Sequence, residues 1–186
     1  TWDITVYENH GCVYNEDNID PNCGYDVSKG GNQPYPLTPD EKVDREYLMG
    51  AATDSASAAT AMATGKKVKK RVLSWKNSTI TEELRKEKGY SIGIVSSVPF
   101  SHATPAAFIA HNTHRHHYYT DYKGYSNLGI ADEIIHISKP DVVITGGHPF
   151  LNNPDFDSRK GFLSRSLYAH LKSIPDYVFV ERTPDK

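Results

Sequence analysis

The stretch Tyr90–Val98, with the sequence YSIGIVSSV, is a short apolar run that follows a glycine. Its length and its content of Ile and Val are typical of a buried β-strand. The preceding residues Thr81–Lys88 predict a helix, and Gly89 is suited to end it because glycine readily adopts the left-handed conformation found there. A helix that leads into a buried strand indicates an α/β protein.

Two more units of this kind follow along the chain. A helix predicted near Ile130–Ser138 precedes a strand at Asp141–Thr145, and a helix from about Phe162 to Ser173 precedes a strand at Tyr177–Val180. Three such units predict a largely parallel central sheet with helices on both faces. The loops that follow the strands are then the natural place for a site.

Composition excludes several classes of function. The chain has 186 residues, 38% of them hydrophobic, which is enough for a core. It carries 21 basic and 23 acidic residues, so it lacks the charge of a nucleic-acid binder or a membrane-recruited protein. No apolar run is long enough to span a membrane. The basic run Lys66–Arg71 is interpreted as a solvated turn without a function.

The chain divides into an irregular segment over residues 1–46 and a second part over residues 47–186 that contains the predicted helices and strands. The first part is rich in Asn, Asp, Gly and Pro between Tyr14 and Pro39. It contains Cys12 and Cys23, which are expected either to form a short disulfide loop in an oxidising compartment or to remain free or metal-binding thiols. Since the chain begins with Thr1, we expect a processed protein or a piece of a longer one.

The stretch Ala51–Gly65 consists of small residues closed by a glycine and predicts a tightly packed helix. Ser55 would lie at its N-terminus, where free N–H groups and the helix dipole stabilise a bound phosphate. On local sequence alone, a plain helix cap at Asp54 or Ser55 is the better explanation. A nucleophile at Ser55 needs support from the wider sequence.

Residues Thr53–Lys66, with the sequence TDSASAATAMATGK, resemble the nucleophile signature of the alkaline phosphatases. The resemblance extends over about Tyr47–Arg182 and places Ser55 in the nucleophile position. It implies that Ser55 accepts a phosphoryl group and contacts zinc. It also implies an alkaline phosphatase-like α/β fold, present here as a partial domain.

A second block, Ser97–His111 with the sequence SVPFSHATPAAFIAH, also resembles this family. The resemblance implies that His102 and Thr104 supply a magnesium-type third metal site. Magnesium prefers oxygen ligands, so His102 would act through a bound water, or the site would take a different metal. A loop imidazole hydrogen-bonded to the backbone is the structural alternative.

Arg115 follows Thr104 by eleven positions, which is the family's spacing for a phosphate-binding arginine. The resemblance implies that its guanidinium holds two phosphate oxygens and that Asp54 orients it. Taken in isolation, Arg115 is better explained by a surface salt bridge.

Histidines surround Arg115, and clusters of this kind also bind metals adventitiously. Among His114, His116 and His117, the last occupies a position that tunes the site indirectly in relatives. A fourth block, Asp141–Phe150, again resembles the family, but its glycines are explained by a tight turn and His148 receives no role.

The resemblance implies hydrolysis of phosphate monoesters with two zinc ions and one magnesium ion. The expected zinc ligands are missing, because the sequence contains no Gly-Asp-Gly segment and no suitable Asp/His pair. We therefore expect a fragment that needs the remaining segments of its polypeptide and has little activity alone. The family also implies a possible homodimer and a periplasmic or secreted location.

Three alternatives remain. A catalytically incompetent fragment or phosphate-binding module would keep Ser55 and Arg115 without the two-metal chemistry. A phosphodiesterase or sulfatase-like enzyme would surround its nucleophile with different residues. A serine hydrolase with a Ser-His-Asp triad is disfavoured because no Gly-x-Ser-x-Gly segment is present.

Overall fold

The computed structural model describes residues 54–120, 128–147, 162–175 and 177–181. The irregular segment predicted over residues 1–46, the pair Cys12 and Cys23, and His148 lie outside these ranges.

The first two helices of the described ranges lie within one residue of the helix ends expected near Ser55, Gly65, Thr81 and Lys88. Helix α1 spans Ser55–Thr64 and helix α2 spans Ile80–Lys88. Gly65 and Gly89 end them in the left-handed conformation, with φ of 71° and 65°. Thr79 starts α2 with a capping box, in which side chain and backbone exchange hydrogen bonds across the first turn.

A two-stranded parallel sheet confirms the α/β class. Strand β1 covers Gly93–Ser96, the middle of the predicted strand, and β2 covers Val142–Thr145. Ile94 lies opposite Val143 in the register. Parallel strands require a long crossover. The helical parts of this crossover within the described residues are α3, Ala103–Ala106; α4, Ile130–Glu133; and a π-helix, Ile134–Ser138.

The third predicted unit is only half confirmed. Helix α5 spans Arg165–Leu171, but the prediction of a strand over Tyr177–Val180 is wrong. A strand needs a neighbour to hydrogen-bond with, and within the described residues this segment joins no ladder. Val178 is accordingly 92% exposed. None of the helices in the described ranges is long and apolar enough to cross a membrane.

Two hydrophobic clusters form the described core, and Phe100 packs against both. The larger cluster joins α1, α3 and α4 to the residues beside β1, while the smaller joins α4 and the π-helix to α5. Ile94 of β1 packs against the larger cluster, whereas Val95 on the opposite face is 76% exposed. The described elements thus cover one face of β1.

Candidate functional site

Asp54 caps α1 and fixes Ser55 as the first residue of that helix. The Asp54 backbone is extended, and its Oδ2 accepts a hydrogen bond from Ser57 N–H at 3.0 Å. The first N–H groups of α1 therefore lie at and just after Ser55, and Ser55 is partly exposed. The cap interpretation holds for Asp54 and leaves the Ser55 hydroxyl at a helix N-terminus, a favourable place for an anion.

The structure brings Arg115 into contact with Asp54. Arg115 Nη1 lies 2.9 Å from Asp54 Oδ1, and the two side chains are only 15% and 7% exposed. A shielded ion pair of this kind fixes the guanidinium plane more firmly than a surface salt bridge. Arg115 Nε is buried and has no hydrogen-bond partner among the described residues. One N–H donor of the guanidinium is therefore left for a ligand.

The charge of Asp54 is maintained by its hydrogen bonds. Burial by itself would raise the pKa of the carboxyl. The N–H of Ser57, the guanidinium of Arg115 and the N–H of Arg71 together outweigh burial and lower the pKa below its usual value. Asp54 is therefore ionised at neutral pH and available to hold Arg115.

His102 lies at the start of α3, in the loop that follows β1. Its Nδ1 is buried without a hydrogen-bond partner among the described residues, so the alternative of an imidazole bonded to the backbone is not observed in that part of the chain. Burial, and then the positive charge of Arg115, lower the pKa of His102. The ring is neutral at neutral pH, the state in which an imidazole binds a metal. Thr104 follows two residues later and is exposed.

The described residues supply too few ligands for a complete metal site. No group of three or more His, Cys, Asp or Glu side chains converges within them. The unpartnered Nδ1 of His102 fits a single metal bond, but a zinc site needs about four ligands. A zinc ion at Ser55, which the resemblance implies, would need more ligands than the described residues bring together.

His117 and His114 occupy different surroundings. His117 is fully buried, and its Nδ1 lies 3.3 Å from Asn112 Oδ1. Burial and then the charge of Arg71 lower the pKa of His114, whereas Asp54 raises it and Arg115 lowers it. The tuning role predicted for His117 stays a prediction, and His114, grouped with it as a possible adventitious metal ligand, has no assigned role.

Arg71, at the end of the basic run, also contacts the site. Its backbone N–H donates to Asp54 Oδ2 at 2.8 Å, and its carbonyl accepts from the N–H of Arg115 at 2.7 Å. The sequence interpretation as a solvated turn describes its exposed side chain but misses its backbone. Composition carries no signal for such backbone contacts.

Comparison with known proteins gives consistent matches. The sequence model of the family "Alkaline phosphatase" matches residues 33–162, well over half of the chain. Alkaline phosphatase 4 of Bacillus subtilis (strain 168) is 36% identical over 115 residues, which cover 59% of this chain and 24% of that protein.

Solved structures of the same kind also match. A cold-active alkaline phosphatase from the psychrophile Shewanella sp. is 29% identical with a TM-score of 0.47, covering 64% of this chain and 26% of the other. A mutant of the TAB5 alkaline phosphatase with Mg bound in its M3 site is 31% identical with a TM-score of 0.32, covering 33% and 19%. The TAB5 enzyme comes from an Antarctic bacterium. The chain thus spans about a quarter of the length of the first relatives it matches.

Proposed function

The chain belongs to the alkaline phosphatase family, and from that premise we propose that the protein hydrolyses phosphate monoesters through a phosphoserine on Ser55. The observation that carries the proposal is the arrangement around Asp54. Its carboxylate caps the helix that begins with Ser55 and also holds the guanidinium of Arg115 at 2.9 Å. A nucleophile and an anion-binding group are therefore anchored to one side chain.

The proposed reaction has two displacements. Ser55 Oγ loses its proton and attacks phosphorus, the bond from phosphorus to the ester oxygen breaks, and the departing alcohol takes up a proton. Water then loses a proton and attacks the phosphoserine, the bond from phosphorus to Oγ breaks, Oγ takes up a proton, and inorganic phosphate leaves. Arg115 binds non-bridging oxygens through the donors that Asp54 leaves available, and the N-terminal N–H groups of α1 add to this binding.

Metal ions belong to the proposal as partners of this site. We infer that His102, with its free Nδ1, and Thr104 contribute to a magnesium-type site, and that two zinc ions are bound largely by residues outside the described ranges. Bound metals would lower the pKa of a serine hydroxyl and of water. The chain's own residues align the phosphate, because Arg115 binds it and Asp54 orients Arg115.

The remaining properties of the whole protein are inferred from the family. They are a homodimeric assembly, a periplasmic or secreted location, and dependence on further segments of the polypeptide. Since the described residues lack a complete metal site, we expect this chain alone to turn over little substrate.

A second candidate is a phosphate-binding module without turnover. The absence of a convergent ligand group from the described residues favours it, while the free Nε of Arg115 suits either function. The two candidates differ in whether added zinc and magnesium produce hydrolysis.

The test is hydrolysis of a chromogenic phosphate monoester at alkaline pH by the purified full-length protein, before and after chelation. The proposal predicts loss of activity with a chelator and recovery with zinc plus magnesium. His102→Ala should require more magnesium for recovery, while His136→Ala, an exposed histidine of the π-helix, serves as the control and should behave as the wild type.

A rate that chelation leaves unchanged would refute the metal-dependent proposal. Phosphate binding without hydrolysis in the presence of both metals would favour the binding module instead.

A further inference from the structure

Arg71 has a backbone conformation that is unusual for its residue type. Its φ is 73°, in the left-handed region that a side chain disfavours and glycine adopts freely. Residues hold such a conformation only where surrounding contacts impose it, and these positions often lie at functional sites. The contacts of Arg71 are therefore informative.

Both polar groups of the Arg71 backbone are hydrogen-bonded to the pair described above. Its N–H donates to Asp54 Oδ2 at 2.8 Å, and its C=O accepts from Arg115 N–H at 2.7 Å. Asp54 Oδ1 in turn accepts from Arg115 Nη1 at 2.9 Å. The three residues form a closed ring of hydrogen bonds, in which Arg115 is held at its backbone and at its guanidinium.

We propose that Arg71 is a positioning residue that sets the orientation of the Asp54–Arg115 pair through its left-handed backbone. Together with ψ, the value of φ sets the directions of the N–H and C=O groups, and at the observed φ of 73° these groups reach both partners. A shift of φ to negative values would turn one group away and leave the Asp54 carboxylate held only by Ser57 and Arg115.

The side chain plays no part in this ring. It is exposed, and what the ring requires from residue 71 is an N–H and a positive φ. Glycine meets both requirements without steric cost, whereas valine keeps the N–H but resists positive φ, and proline lacks the N–H and fixes φ near −65°. The three substitutions thus separate backbone from side chain.

The test compares Arg71→Gly, Arg71→Val and Arg71→Pro by the pKa of Asp54, measured by carbon NMR, and by affinity for inorganic phosphate. Arg71→Gly should keep phosphate affinity within about twofold of the wild type. Arg71→Pro should raise the pKa of Asp54 and weaken phosphate binding about tenfold, the size of a lost charge-assisted hydrogen bond. Arg71→Val should change both in the same direction and replaces the proline variant if that one does not fold.

Lys76→Pro is the matched control, because Lys76 also has a positive φ, of 59°, but contributes no hydrogen bond to the Asp54–Arg115 ring. It should lower the melting temperature and leave the pKa of Asp54 unchanged. The proposal is overturned if the pKa of Asp54 in Arg71→Val and in Arg71→Pro equals the pKa of Asp54 in Arg71→Gly.

The phosphate measurement rests on the proposed function, whereas the pKa measurement does not. A raised Asp54 pKa in a protein that binds no phosphate would support the positioning role and refute the proposed function.

Discussion

Asp54 makes contacts with three parts of the chain through its two carboxylate oxygens. Oδ2 accepts from Ser57 N–H and Arg71 N–H, and Oδ1 accepts from Arg115 Nη1. These bonds stabilise the ionised form and lower the pKa despite burial. At the residue scale, one carboxylate therefore combines a helix cap with the orientation of the arginine.

The first prediction concerns acid stability. A lowered pKa in the folded state means that Asp54 stabilises the fold at neutral pH, above its ordinary value of 3.8, and that this contribution disappears as pH falls through the folded-state pKa. Asp54→Asn keeps a good cap but has no charge to lose. Acid unfolding curves should show a smaller loss of stability on acidification for Asp54→Asn than for the wild type.

Phosphate affinity distinguishes this role from a general effect of charge. Asp54→Asn should weaken phosphate binding about tenfold because Arg115 loses a charge-assisted partner. Asp141→Asn removes another carboxylate with a lowered pKa, which pairs with Arg85 at 2.6 Å. It should change acid stability and leave phosphate affinity unaltered. Equal phosphate affinities for Asp54→Asn and the wild type would contradict the role of Asp54.

At the scale of elements, helix ends are the features with the clearest sequence signals. Gly65 and Gly89 end α1 and α2 with positive φ, and each offers open space where a Cβ would be placed. A substitution there therefore tests backbone conformation without steric conflict.

Gly89→Ala should destabilise the protein by about 1 kcal/mol, because the left-handed conformation is less favourable for alanine than for glycine. Gly89→Asn, which tolerates that conformation better, should cost less. The measurement is the free energy of unfolding in denaturant, and phosphate affinity should not change in either variant. An alanine variant as stable as the wild type would show that α2 does not depend on this cap.

Local signals explain what could be predicted from the sequence and what could not. The short apolar runs at β1 and β2 and the caps of α1 and α2 depend on neighbouring residues in the chain. The wrong strand at Tyr177–Val180 has the right composition, but pairing depends on a partner that composition does not specify. The positive φ of Arg71 and the charges around His114 likewise arise from contacts distant in sequence.

At the scale of the whole molecule, part of the sheet is uncovered, and the described residues do not bring together a full set of metal ligands. Val95 and Ile144 are 76% and 61% exposed although parallel sheets are normally covered on both faces. The described residues also hold no convergent group of metal ligands. Both observations concern the described residues of a chain that spans about a quarter of the length of the first relatives it matches.

The proposed function depends on Ser55 carrying the phosphoryl group during turnover. The direct measurement is mass spectrometry of peptides from the metal-loaded protein, quenched in acid during reaction with a phosphate monoester. We predict one added phosphoryl group on the peptide that contains Ser55, and none in Ser55→Ala, while Ser91→Ala, an exposed serine outside the site, keeps the modification. Turnover without a phosphorylated Ser55, or turnover that persists in Ser55→Ala, would contradict the account.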